Sequence, residues 1–285
     1  MQASEQALPW PTPWPQMVRP GVVLWGVLGS VAVLAIAVGG VVGWMTGDSS
    51  GVVFLLATPI LVVAAGGWLS VNVRGRNRRS SNITLAHVSR LDQSATVVPY
   101  SRGLYVAYLL WPAAVMIFFL PIFLVTLLDV LDGSVVRDAA TVVILVLGGV
   151  AVVYALWFAF DLLSSRWSRG LVALSPEGVY HRSVVFRSYF PWEAVTEISA
   201  IDNNGPFIAM GVRDGADSWF ERTSRLWRQE ELAFAPHMAV RGRWLSVDPA
   251  IVYYALIYYR DHPVARRELD TTVGADRLRS GSFEV

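Results

Sequence analysis

Four long apolar runs broken by short polar links fill the first 160 residues, after which the chain turns to short alternating runs and turn signals. The runs are Gly21–Met45, Val52–Val73, Gly103–Leu128 and Ala139–Phe160. At 1.5 Å per residue, helices of this length reach roughly 33–39 Å, enough to cross a 30 Å hydrocarbon core with some tilt. The pattern predicts a four-helix transmembrane domain over residues 21–161. Polar residues inside the runs are small hydroxyls, Ser30, Thr58, Ser70 and Thr126, which can bond to their own helix. A proton or ion path leaves an ionisable group at membrane depth. Asp129 and Asp161 stand only at run ends, which weighs against an ion-coupled transporter. Gly39–Gly43 and the small pairs Gly26–Ser30, Gly66–Ser70 and Ala151–Ala155 predict close helix packing.

The link between the second and third runs, residues 74–102, carries six arginines against Asp92. Arg74, Arg76, Arg78 and Arg79 fall within six residues, and each costs roughly 2.5–3.5 kcal/mol at a bilayer centre. They predict a cytoplasmic loop, with both termini on the same side and short external hairpins near Gly47 and Gly133. The loop holds a weakly amphipathic piece, Ile83–Leu91. Its arginines set topology or attract anionic lipid.

Residues 1–20 hold Pro9, Pro11, Pro13, Pro15 and Pro20 with Trp10 and Trp14 between them. Such spacing forbids a helix and favours polyproline II. It predicts a flexible tail whose tryptophans rest at the headgroup level. The sharper alternative is a docking peptide for an aromatic-lined groove.

From Gly170 the periodicity falls to two. Leu171–Leu174, Val179–Phe186, Thr196–Ile201 and Phe207–Val212 read as strands, with turns at Ser175–Gly178 and Asn203–Pro206. Residues 213–236 are mostly polar, with a short helix expected over Ser224–Phe234. His237–Ser246 alternates as a half-solvated strand, with Met238, Val240 and Trp244 on one face and Arg241 and Arg243 on the other. Asp248-Pro249 supplies an N-cap and a first-turn proline. In the helix that follows, Ile251, Val252, Ala255, Leu256 and Tyr259 share an arc of about 140°. A last helical turn over Val264–Leu269 precedes a flexible tail, 270–285. Antiparallel strands followed by one amphipathic helix predict an α+β domain, an open barrel capped by a helix.

The turn Ser175-Pro-Glu-Gly178 with Val179–Arg182, the Pro191-Trp192-Glu193 step, and the closing helix from Asp248 with Tyr259–Arg266 resemble bacterial PH-like domains. Such domains occur at the cytoplasmic end of multi-pass proteins of the cell membrane, notably in actinobacteria. The resemblance covers residues 168–269. It implies a seven-stranded bent sheet capped by a C-terminal helix, and a role in protein interaction or assembly. It departs from the pattern in the polar insertion at 213–236.

Composition sharpens this reading by exclusion. The chain is 54% hydrophobic and 16% charged, a membrane-protein composition. Its net charge of +1 offers nucleic acid no long-range attraction. No cysteine supplies a disulfide, a thiolate or a metal ligand, and every basic residue is an arginine. His87, His181, His237 and His262 lack ligand spacing, and no nucleophile elbow is present. No catalytic residue, cofactor or metal is expected. Arg182, Arg187, Arg241 and Arg243 are the cations of the soluble domain that can gather into a lipid- or partner-facing patch. The expected partners are the bilayer and either another protein or a second copy of the chain. The alternative functions are a transporter or channel subunit acting through the bundle, and a membrane lipid sensor.

Overall fold

The computed structural model describes residues 8–15, 20–47, 51, 54–55, 58–63, 65–66, 69, 80–133, 139–164, 166–213, 217–224 and 229–283. The chain divides into two compact units. One comprises Arg19–Val73 with Gly103–Ser165, the other Met1–Val18, Arg74–Arg102 and Arg166–Val285.

The first unit is helical. It contains α1 (Pro20–Met45), the described helical residues between 51 and 69, α2 (Arg102–Leu131) and α3 (Ala139–Leu163). Among the described residues, Val23–Met45 and Thr141–Leu163 are long and apolar enough to cross a membrane. Their side chains, Leu24, Val31, Leu34, Val146 and Leu156 among them, stand exposed, a surface that water does not tolerate over such an area. Ser30 and Thr58 donate to the carbonyls four residues back, each at 2.8 Å, so neither leaves a bare hydroxyl in apolar surroundings. Close approach comes at Gly26 of the expected Gly26–Ser30 pair, where a Cβ would meet Leu69 at 2.8 Å, and at Gly40, where it would meet Leu55 at 3.1 Å, whereas Gly39 of the expected Gly39–Gly43 pair faces open space.

The second unit holds two antiparallel sheets. Six strands run in the order β1 (Thr84–Val88), β2 (Gln93–Pro99), β3 (Leu171–Leu174), β4 (Gly178–Arg182), β5 (Phe186–Pro191) and β8 (Trp219–Arg222). Three more pair as β6 (Val195–Asp202), β7 (Pro206–Val212) and β9 (Met238–Arg241). The domain is therefore larger than residues 168–269, and it has nine strands among the described residues, not seven. The expected cytoplasmic loop 74–102 contains a β-hairpin: Thr84 pairs with Val97, and β2 continues into the sheet with Val97 opposite Ala173. A 3.6-residue reading of Ile83–Leu91 failed because the stretch pairs with β2, whose other neighbour, β3, lies across α2 and α3 in the chain.

Side-chain alternation sorts the six-stranded sheet into two faces. Val172, Leu174, Val179 and His181 share one, and all are buried. On the other, Val88, Ala95, Val97, Ala173 and Tyr180 form a second core, covered by Leu91, Tyr189 and Trp219. Arg90, in the β1–β2 turn, bonds Glu221 of β8 at 2.7 Å, and its guanidinium lies 5.9 Å from the Trp219 ring centroid. The two ends of the sheet thus curl toward each other over that core.

The closing helix α4 (Pro249–Asp261) begins as expected, with Asp248 accepting from the Ala250 N–H at 2.9 Å. It buries Val252, Ala255, Leu256 and Tyr259 and packs on β6. Arg266 finishes it, donating to the carbonyls of Tyr259 (2.7 Å) and Arg260 (2.9 Å), which the helix leaves without internal partners. The expected flexible tail 270–285 is instead a helix, α5 (Thr272–Ser280). The Thr271 hydroxyl caps it at Val273, and Gly281 closes it in the left-handed region at φ 65°. It lies against β1 and β2, with Leu278 buried and Arg279 donating twice to the Ile83 carbonyl.

Two further expectations change. Of the helix expected over Ser224–Phe234, the described part holds a 3-10 turn, Glu230–Phe234, and β8 lies before it; residues 225–228 lie outside the described residues. The strand expected over His237–Ser246 stops at Arg241 and passes into a 3-10 turn, Gly242–Trp244.

Candidate functional site

The β2–β3 junction leads into a polar cluster. Here β2 ends at Pro99 opposite Leu171, and the Tyr100 N–H bonds the Gly170 carbonyl at 2.8 Å. The whole α2–α3 hairpin is thereby inserted between two neighbouring paired strands. Tyr100 also bridges to Leu245, turning its ring inward. Only glycine fits at 170, since a Cβ there would lie 2.3 Å from a ring carbon of Tyr100.

Inside, the Tyr100 hydroxyl lies 2.6 Å from His181 Nε2 and 3.2 Å from Glu231 Oε1. Ser183 Oγ is 2.9 Å from Glu231 Oε2 and 2.7 Å from Gln229 Oε1. The backbone N–H of Arg241 points at Glu231 Oε1 from 3.4 Å. Tyr100, His181, Ser183 and Glu231 are all buried.

The Tyr100 hydroxyl donates to Glu231 Oε1, the Ser183 hydroxyl is placed to donate to Glu231 Oε2 or to Gln229 Oε1, and a neutral His181 donates its Nε2–H to Tyr100. Burial raises the Glu231 carboxyl above its usual range against the opposing pull of Arg241. Burial also lowers His181 to about 3, and burial with the nearby Glu231 pushes the Tyr100 hydroxyl well up. The Arg241 guanidinium pairs with Glu230 at 3.0 Å, outside the network.

This arrangement ties chain segments together and does not assemble a nucleophile. His181 meets Tyr100, so the Ser–His contact that would activate Ser183 is not formed. What it does is bind the end of β2, the end of β4, the 213–236 insertion and β9 to one another. Tyr100, Ser183, Gln229 and Glu231 carried no sequence signal: they lie in three separate segments and form no motif.

Of the arginines expected to gather, Arg182 and Arg187 stand together on the six-stranded sheet, while Arg241 and Arg243 have separate surroundings near the three-stranded one. Arg182 and Arg187 stand directly opposite across β4 and β5. Like charges so placed repel, and Glu221 of β8, opposite Arg187 on its other side, offsets them. Arg241 ends β9 on the three-stranded sheet. Its side chain is 17% exposed, with the guanidinium 4.7 Å from the Trp244 ring centroid and 5.7 Å from that of Phe207. The solvated face expected for Arg241 is therefore replaced by aromatic packing. Arg243 lies against Gly205 in the turn at 203–206. Arg74, Arg76, Arg78 and Arg79 lie outside the described residues.

The histidines are equally dispersed. His237 Nδ1 accepts from the Val212 N–H at 3.2 Å, His262 stacks on Tyr258 at 4.5 Å, and His87 lies 3.7 Å from Asp92. Among the described residues, no group of three or more His, Asp or Glu is placed to hold a metal ion.

The N-terminal segment is the second feature. Trp14 is 2% exposed, and its Nε1–H donates to the Phe207 carbonyl at 2.9 Å. Its ring meets Tyr253 of α4 edge-on at 5.6 Å and Trp10 at 5.0 Å. The tail expected to rest in headgroups is thus folded onto the sheet unit. Neither tryptophan's seat was visible in the sequence, because Phe207 and Tyr253 come from distant elements.

No known family, no curated protein and no solved structure matches this chain.

Proposed function

We propose that the chain is an integral membrane protein of the bacterial cell membrane with four spans. On this reading its cytoplasmic PH-like unit mediates protein interaction or assembly at the inner face, without catalysis. The observation that carries the reading is the insertion of an apolar helical hairpin into a β-hairpin. With β2 and β3 still paired on either side of residues 102–165, the sheet unit is tethered at more than one point. Such tethering suits a scaffold held at a surface better than a diffusing catalyst. Two antiparallel sheets followed by the α4 helix support the PH-like assignment. The engaged arginines support protein recognition over lipid recognition, because a headgroup pocket needs clustered, accessible cations.

The test uses a sheet unit in which residues 1–18, 80–101 and 166–283 are joined by flexible Gly/Ser linkers. It is expected to self-associate or retain a partner from native membranes, and to stay in the supernatant with anionic vesicles at physiological salt. Salt-sensitive vesicle binding abolished by Arg182→Ala with Arg187→Ala would instead make the lipid sensor the correct reading.

A further inference from the structure

The docked N-terminal segment has the character of a ligand. It pairs with no strand. It is held by one indole N–H on a main-chain carbonyl, by an aromatic contact from α4, and by apolar burial at spaced positions. Pro11 and Trp14 face in, while Pro9, Thr12 and Pro13 face out. The Trp14 N–H closes a turn on the Pro11 carbonyl at 3.0 Å, so the segment arrives already bent. Four prolines within residues 9–15 restrict the free peptide, which lowers the entropy lost on docking. Buried anchors spaced along a proline-stiffened segment are a common way for aromatic-lined grooves to take proline-rich peptides, although here the anchors, Pro11 and Trp14, flank a turn. The seat itself belongs to the sheet unit: Phe207 opens β7 beneath the Arg241 guanidinium, and Tyr253 comes from α4.

We propose that this seat is a recognition site for proline-flanked tryptophan segments, which the chain fills in cis with its own residues 8–15. The proposal deepens the interaction-module reading, on which it rests for its biological purpose and not for its chemistry. A segment tethered nearby competes at high effective concentration, so the seat of an intact chain is closed to weak ligands. A second copy, or a partner carrying the same kind of segment, gains access when the cis segment leaves.

The test uses the full chain in detergent and a fluorescent peptide with the sequence of residues 8–15. Trp14→Ala empties the seat in cis, and this variant is expected to bind the peptide about 10-fold tighter than the wild type. Adding Tyr253→Ala, or replacing the second tryptophan of the peptide by alanine, is expected to abolish that gain. Should Trp14→Ala fail to melt cooperatively, a protease site inserted between residues 16 and 19 of the otherwise native chain serves the same end. After cleavage the segment is expected to exchange with labelled peptide. A folded Trp14→Ala chain that takes up no peptide, uptake indifferent to Tyr253, or a cut chain that never exchanges would each overturn the proposal. Self-association of the sheet unit is read separately, so loss of this site leaves the broader function standing or falling on its own result.

Discussion

His181 and Glu231 are two buried groups whose proton equilibria pull stability in opposite directions. His181 keeps its neutral form down to about pH 3, whereas a free histidine titrates near 6.5. Below 6.5 the unfolded chain therefore binds a proton that the folded chain refuses, and stability falls as pH falls. Glu231 is the reverse case. Its folded carboxyl keeps a proton above the ordinary range, so stability is lost as pH rises through the raised value. The two slopes oppose each other from the ordinary carboxyl range up to the raised Glu231 value, below the free histidine value of about 6.5. Removing either group should tilt the curve. His181→Phe is expected to make stability fall with rising pH in that window. Glu231→Gln, which keeps the side chain's size and an acceptor for Tyr100, should make it rise, by about 2 kcal/mol across the two pH units below 6.5. Urea unfolding of the joined sheet unit at several pH values measures both. Two variants with the same slope would show that burial does not shift the two groups in opposite senses.

Helix α5 and the β1–β2 hairpin support each other at the scale of elements. Leu278 is buried, and Arg279 reaches the Ile83 carbonyl just before β1. Arg277 pairs with Glu268, which also accepts from the Tyr259 hydroxyl at 2.7 Å and so links α5 to α4. If the helix covers the sheet edge in this way, Leu278→Ala leaves a cavity and costs about 2–5 kcal/mol in denaturant unfolding. A flexible tail would show no change. The same logic applies to α4, whose end rests on Arg266. Its guanidinium also lies 5.3 Å from the ring centroid of the buried Trp192. Polar residues 270–285 looked expendable because two arginines and a serine-glycine end dominate their composition. Their burial depends on a sheet edge that local periodicity does not reveal.

For the whole molecule, the arrangement of spans sets which side the sheet unit faces. Reporter fusions after Gly47 and after Gly133 are expected to read as external, and fusions after Ser81 and Val285 as cytoplasmic. The basis is the arginine-rich link on one side and the arginine-poor hairpins on the other. Ser81 now carries extra weight, because it immediately precedes β1. An external signal there would place the hairpin, and with it the sheet unit, on the wrong side.

Local chemistry was legible in the sequence wherever neighbours along the chain decide the outcome. Apolar run length marked the helices, Asp248-Pro249 marked the start of α4, Ser175–Gly178 and Asn203–Pro206 marked turns, and alternation marked most of the strands between 171 and 212. Contacts across long separations were decided only by the tertiary structure. Thr84–Pro99 is a pair of strands because β3 stands beside it. Trp14 is buried because Phe207 and Tyr253 form a seat, and the Glu231 carboxyl is pushed up because folding takes it out of water. A buried polar group has no local signature, since its stability depends on partners that only folding brings within hydrogen-bonding distance.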